Sequence, residues 1–126
     1  MSVRMVLLAI AVTLAWSGPV SADTTASAPS STLTDKEKAD RASAMLKSME
    51  GVIAELDRKI DGARGDTDVL RVNCLLDNKE KMAGLFKQAG NAYAALEGFL
   101  GERQSEALEH EFQKIDVIRV KIDQYK

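Results

Sequence analysis

Val72–Leu100, VNCLLDNKEKMAGLFKQAGNAYAALEGFL, is the stretch on which the fold turns. Its apolar residues recur at alternating steps of three and four: Val72, Leu75, Met82, Phe86, Ala89, Tyr93, Leu96 and Leu100, with Lys79 interrupting. That repeat marks a helix packed nearly parallel to a neighbour. Val69, Leu76 and Ala83 widen the apolar face on one flank, and Leu85, Ala92 and Phe99 widen it on the other. A helix apolar on both flanks is expected to touch two neighbours. Gly84, Gly90 and Gly98 each cost about 1 kcal/mol relative to alanine in a helix interior. Together with Ala83, Ala89, Ala92, Ala94 and Ala95 they fit two readings: close backbone approach to a partner, or a kinked, locally soft helix.

The neighbours are found on either side. Upstream, Thr34-Asp35-Lys36-Glu37 is a capping box, so a helix should start at Asp35. Ala39, Ala42, Leu46, Met49, Ile53, Leu56 and Ile60 form its stripe, with Lys38, Asp40, Lys47, Glu50, Glu55, Asp57 and Lys59 on the other faces. Gly62 is expected to stop this helix, GARGD to form the turn, and Thr67 or Asp66 to cap the next helix. Downstream, Gly101 should end the middle helix and a third should open within Glu102–Ser105. Its stripe is Leu108, Phe112, Ile115, Ile118, Ile122 and Tyr125. Glu102, Glu106, Glu109 and Glu111 crowd its start and Lys114, Arg119, Lys121 and Lys126 its end, the order a helix dipole prefers. No strand pattern competes. The expectation is an all-α, elongated, antiparallel three-helix bundle, with helices over about residues 35–61, 67–100 and 103–125. The middle helix should be about 50 Å long at a rise of about 1.5 Å per residue.

The bundle domain occupies residues 34–126. Residues 1–22, MSVRMVLLAIAVTLAWSGPVSA, read as a secretory signal: Arg4, an apolar run from Met5 to Trp16, a Gly18-Pro19 break, then small residues. Cleavage is expected between Ala22 and Asp23, with Ala26 as an alternative site. The run is shorter than the roughly 20 residues a membrane span requires, so no stable anchor is expected once the signal is removed. Residues 23–33, DTTASAPSSTL, read as a disordered linker. Of the 17 Lys and Arg residues only Arg4 lies in the signal, so 16 remain against 19 Asp and Glu, a net charge of about −3. That balance argues against nucleic acid as a partner, because phosphate binding needs a basic patch. The expected location is outside the cytoplasm, in a periplasm or the extracellular space.

The chain is poor in chemistry-bearing patterns. It has one histidine, His110, which shares a helical face with Glu106. This is the candidate metal pair, but a closed site needs three or four convergent ligands, and an exposed histidine among carboxylates is the simpler reading. There is no glycine-rich phosphate loop, no CxxCH and no assembled Ser/His/Asp set, so no catalytic residue and no cofactor is assigned. The third helix lacks the basic face of a membrane-surface helix.

The one cysteine, Cys74, heads a mostly polar column with Lys81, Gln88 and Ala95. In an oxidising compartment a cysteine at such a boundary tends to be paired, which makes Cys74 the candidate disulfide or reactive thiol. With equal rise along two antiparallel helices, its level on the third helix falls at about position 130. A lost C-terminal cysteine, a longer natural chain and a bond to another chain are all compatible with that register.

RVNCLLDNKEKMAGLFKQAG followed by EALEHEFQKIDVIRVKIDQY resembles a group of small exported helical proteins of Gram-negative bacteria that has no established function, over roughly residues 66–126. Members of that group carry one cysteine early in the middle helix and another after the last; Cys74 matches the first, and no residue here matches the second. The leading expectation is a non-enzymatic structural or adaptor protein working through protein–protein contacts or self-association. The alternative is a small-molecule or metal binding module between helices two and three, with room left by Gly84, Ala89, Gly90 and Ala92 and with Glu106 and His110 as lining. A weaker alternative is a thiol redox sensor acting through Cys74.

Overall fold

A computed structural model describes residues 32–126; the expected signal, its cleavage point and residues 23–31 of the linker lie outside the described residues. Three helices follow in order: α1 (Asp35–Gly65), α2 (Val69–Glu102) and α3 (Ser105–Asp123). All three pairs pack against one another, so the chain is an all-α, elongated, antiparallel three-helix bundle. Among the described residues no helix is long and apolar enough to cross a membrane.

The start of α1 follows from its capping box. The Thr34 N–H donates to Glu37 Oε2 at 2.8 Å, and the Glu37 N–H donates to Thr34 Oγ1 at 3.3 Å. Both ends of the α1–α2 turn shift from expectation. The α1 helix runs through Gly62 to Gly65, and the α2 N-cap is Asp68, whose side chain accepts from the Arg71 N–H at 3.0 Å. The further turn of α1 buries Ala63, which is 1 % exposed, and that burial with the added helical hydrogen bonds outweighs the cost of Gly62. The chain then leaves α1 through a Schellman pattern: Asp68 N–H to Ala63 O, and Thr67 N–H to Arg64 O. Thr67 holds the left-handed position at φ 55, where glycine is the usual occupant. The α2–α3 turn repeats the device one residue later than Gly101 suggested. Gln104 donates to Phe99 O and Arg103 to Leu100 O, with Arg103 at φ 57. The α3 helix begins at Ser105 and ends at Asp123, inside the expected 103–125.

The core comprises Ala39, Ala42, Met49, Val52, Leu56 and Ile60 of α1, Met82, Ala89, Ala92 and Leu96 of α2, and Leu108, Phe112, Ile115, Ile118 and Ile122 of α3. The α3 stripe is as expected. On α1, Leu46 and Ile53 are only half-buried while Val52 is buried, because the inward face is shared between two neighbours. On α2, only the Leu85, Ala92 and Phe99 flank is covered; Val69 (67 % exposed), Leu76 and Ala83 face outward. The glycines of α2 make no close approach within the bundle: a Cβ built at Gly84, Gly90 or Gly98 would meet nothing within 4 Å.

Candidate functional site

Two polar constellations lie at opposite ends of the bundle. The first joins the N-terminal turns of α1 and α3, which run parallel. Lys38, assigned from sequence to an outer face, is instead buried at 7 % exposure. Its ammonium lies 2.7 Å from Glu109 Oε2 and 3.8 Å from Asp35 Oδ1. Ser105 Oγ donates to Asp35 Oδ2 at 2.5 Å. The aliphatic stem of Lys38 lies against the core while its charge meets carboxylates from both helices, the familiar way a lysine occupies a boundary position. Periodicity could not show this, because the partner Glu109 lies in another helix. The cluster is closed on itself, and its evident work is to fix the register of α1 against α3.

Glu106 and His110 flank this cluster on α3 and are both exposed. Among the described residues no group of three or more His, Cys, Asp or Glu side chains could hold a metal ion. The small residues expected beside them are separated from them: Ala89 and Ala92 are buried in the core, and Gly84, midway along α2, lines a groove with Lys121 and Tyr125 of the last turns of the chain.

At that other end α2 meets the last turn of α3. Asn78 Nδ2 donates to Tyr125 O at 3.5 Å, and the Lys81 ammonium sits 5.8 Å from the centre of the Tyr125 ring. Lys81 also pairs with Asp77 at 2.7 Å; that hydrogen bond, and then the Asp77 charge, raise its pKa above the usual lysine value. An open groove of about 430 Å³ follows the α2–α3 seam here, lined in part by Glu80, Lys81, Gly84, Lys121 and Tyr125. Cys74 is exposed, one turn of α2 beyond these contacts.

A register follows from these pairs. Lys38 is level with Glu109, so the end of α3 at Asp123 falls level with about Val52 of α1, yet α1 continues to Gly65. Tyr125 is level with Asn78, yet α2 begins at Val69. The α1–α2 hairpin therefore outruns α3 by about 15 Å, at a rise of about 1.5 Å per residue. Leu70, 83 % exposed, and Val69 lie on this overhang.

Between α1 and α2, half-buried Tyr93 has its pKa raised above the ordinary phenol value, first by burial and then by its hydrogen bond to Glu97; Ser43, also hydrogen-bonded to it, opposes. This half-buried phenol has no counterpart in the sequence reading, which took Tyr93 only as part of the apolar stripe.

No protein-family model, curated protein or solved structure matches this chain.

Proposed function

We propose that this protein is an exported, non-enzymatic structural or adaptor element that acts through protein–protein contacts. The observation that carries it is the overhanging α1–α2 hairpin, which holds Leu70 and Val69 in solvent at 83 % and 67 % exposure. Large exposed apolar side chains on an otherwise polar surface are what contact sites leave uncovered. Val117 and Val120 on the outer side of α3, 54 % and 45 % exposed, add a second patch. The secretory pattern of residues 1–22 and the resemblance of residues 66–126 to small exported helical proteins support a site of action in a periplasm or outside the cell. The test is site-specific photo-crosslinking in the native host, with the reactive residue placed at Leu70, at Val117 and at the polar position Lys36. Discrete protein adducts at Leu70 or Val117, absent at Lys36, are expected. A chain that forms no adduct at either apolar position is not an adaptor of this kind.

The α2–α3 groove favours a second reading, a module for a small molecule. Native mass spectrometry of protein from its own host, showing a bound mass that Gly84→Leu removes, would support it; an unliganded chain would eliminate it. In a third reading, resting on the exposure of Cys74, the thiol senses redox state. Reversible oxidation that leaves every crosslink and bound mass unchanged would remove its support.

A further inference from the structure

We propose that the outer face of α3 pairs in parallel with the same face of a second copy, and that Glu106 and His110 of both copies together form a four-ligand site for a divalent cation of the zinc class. The inference rests on the reading of this chain as a contact protein and names one contact, its occupant and its chemistry.

The α3 register builds the face. Leu108, Phe112, Ile115, Ile118 and Ile122 point into the core. Glu106, His110, Gln113, Val117, Val120 and Gln124 lie on the opposite side and are all exposed. They recur at steps of four, three, four, three and four, the spacing of a coiled-coil seam. Val117 and Val120 are its apolar centre, 54 % and 45 % exposed. The α3 helix thus carries two seams, one inside the bundle and one facing solvent.

Charge sets the orientation of the second copy. One edge of the outer seam carries Glu109, Asp116 and Asp123, and the other carries Lys114 and Lys121. In a parallel pair each acidic edge faces the basic edge of the other copy, Glu109 toward Lys114 and Asp116 toward Lys121. An antiparallel pair would set acid against acid and lysine against lysine, which like-charge repulsion opposes. Within the chain Glu109 meets Lys38, Lys114 meets Glu111, and Asp116 and Asp123 share Arg119. The edges are therefore partly neutralised already: they select the orientation and add little affinity.

The start of the seam decides the ligand. In parallel register each seam residue meets its own counterpart. Glu106 faces Glu106 of the second copy, one turn from the two facing imidazoles of His110. Without a cation the carboxylates repel. With one, two carboxylates and two imidazoles surround it, the number and kind of ligands that close a zinc site. One chain holds only half of this set, and among its described residues no group of three or more such side chains converges. Two valines per copy bury far less than the roughly 1,200 Å² of a stable specific interface, so the cation is what holds the pair. Its ligands lie in the first turns of α3, at the opposite end of that helix from Lys126.

The experiment is sedimentation velocity of the full chain, prepared metal-free and then titrated with zinc chloride. A monomer without zinc and a dimer with one zinc per two chains are expected. Glu106→Ala and His110→Ala should each abolish the zinc-dependent dimer; both side chains are exposed, and circular dichroism verifies that the variants are folded. Lys121→Glu should weaken the dimer by about tenfold, or about 1.4 kcal/mol, as the loss of two exposed ion pairs implies, and Asp116→Lys in the same chain should restore it. With Cys74→Ser as background, Gln113→Cys should form an intermolecular disulfide only when zinc is present, because parallel register sets position 113 beside itself. Zinc bound by a monomer, a dimer indifferent to zinc, or a zinc dimer that survives His110→Ala overturns the inference. So does a zinc dimer lost in Cys74→Ser, which would put the metal on the thiol. If the zinc dimer fails while crosslinks to other proteins persist at Leu70 or Val117, the pairing alone falls; if neither position forms an adduct, the contact function falls whatever zinc does.

Discussion

Replacing Lys38 with methionine should destabilise the bundle, and the size of the loss can be worked from its surroundings. Its ammonium lies 2.7 Å from Glu109, with the two side chains 9 % and 24 % exposed. At an effective dielectric of about 20 the gross attraction is about 6 kcal/mol. Desolvation of both groups removes most of it, leaving a net coupling of about 1–3 kcal/mol. Methionine retains the apolar stem, so Lys38→Met isolates the charge. It removes the ammonium from Glu109, which keeps the Gln113 amide as a donor at 2.8 Å, and weakens the hold on Asp35, and should cost about 2–3 kcal/mol. For a domain of this size that lowers the melting temperature by roughly 8–20 °C. Glu109→Gln alone should cost about 1–2 kcal/mol, and the double variant should lose less than the sum of the two by the coupling energy. Urea unfolding followed by far-ultraviolet circular dichroism supplies all four corners of the cycle. A coupling below about 0.5 kcal/mol, or a Lys38→Met variant as stable as the parent, would refute the claim that this pair ties α1 to α3. The exposed Lys36–Asp40 pair is the internal contrast and should contribute almost nothing at physiological salt.

Three further outcomes are expected. Gly84→Ala and Gly98→Ala should each stabilise the isolated chain by about 0.5–1 kcal/mol, because the added methyl meets open space in a helix interior; destabilisation in urea unfolding would reveal a close contact at that position. Thr67→Gly should stabilise by about 0.5–1 kcal/mol by relieving a β-branched residue at φ 55, where Thr67→Ala should not; equal effects would show that backbone strain is not the cause. The Glu37 carboxyl, held below its ordinary value first by its side-chain hydrogen bond with Thr34 and then by the Thr34 backbone N–H, stabilises the α1 start at neutral pH. Since the folded pKa is the lower one, that stabilisation is present above the ordinary glutamate value and is lost as pH falls through the depressed one. The Thr34 amide resonance should titrate with a midpoint below the usual glutamate range and become insensitive in Glu37→Gln; a midpoint at or above that range would contradict the capping geometry.

Much of the fold was legible because helices announce themselves locally. The capping box, the α3 stripe and the order of the helices all follow from residues a few positions apart. The turns were less legible. Glycine looked like the stop at Gly62 and Gly101, but each helix runs past its glycine and hands the left-handed position to Thr67 or Arg103. The deciding quantities were contacts made by the extra residues, such as the burial of Ala63, and a propensity scale does not contain them. As for the site, the sequence placed Cys74 on the correct helix and near the level of the chain's last residues. It also placed Lys38 on the wrong face and counted both flanks of α2 as covered.

The sequence by itself determined that this chain is three amphipathic helices in an antiparallel bundle, because periodicity, caps and turn spacing act over one or two turns of chain. Only the tertiary structure decided where those helices stop relative to one another. That offset depends on side chains meeting across the bundle: Lys38 with Glu109, and Asn78 with the carbonyl of Tyr125. It is the offset that leaves Val69 and Leu70 of the α1–α2 hairpin past the last turn of α3, which no helical pattern taken singly could reveal.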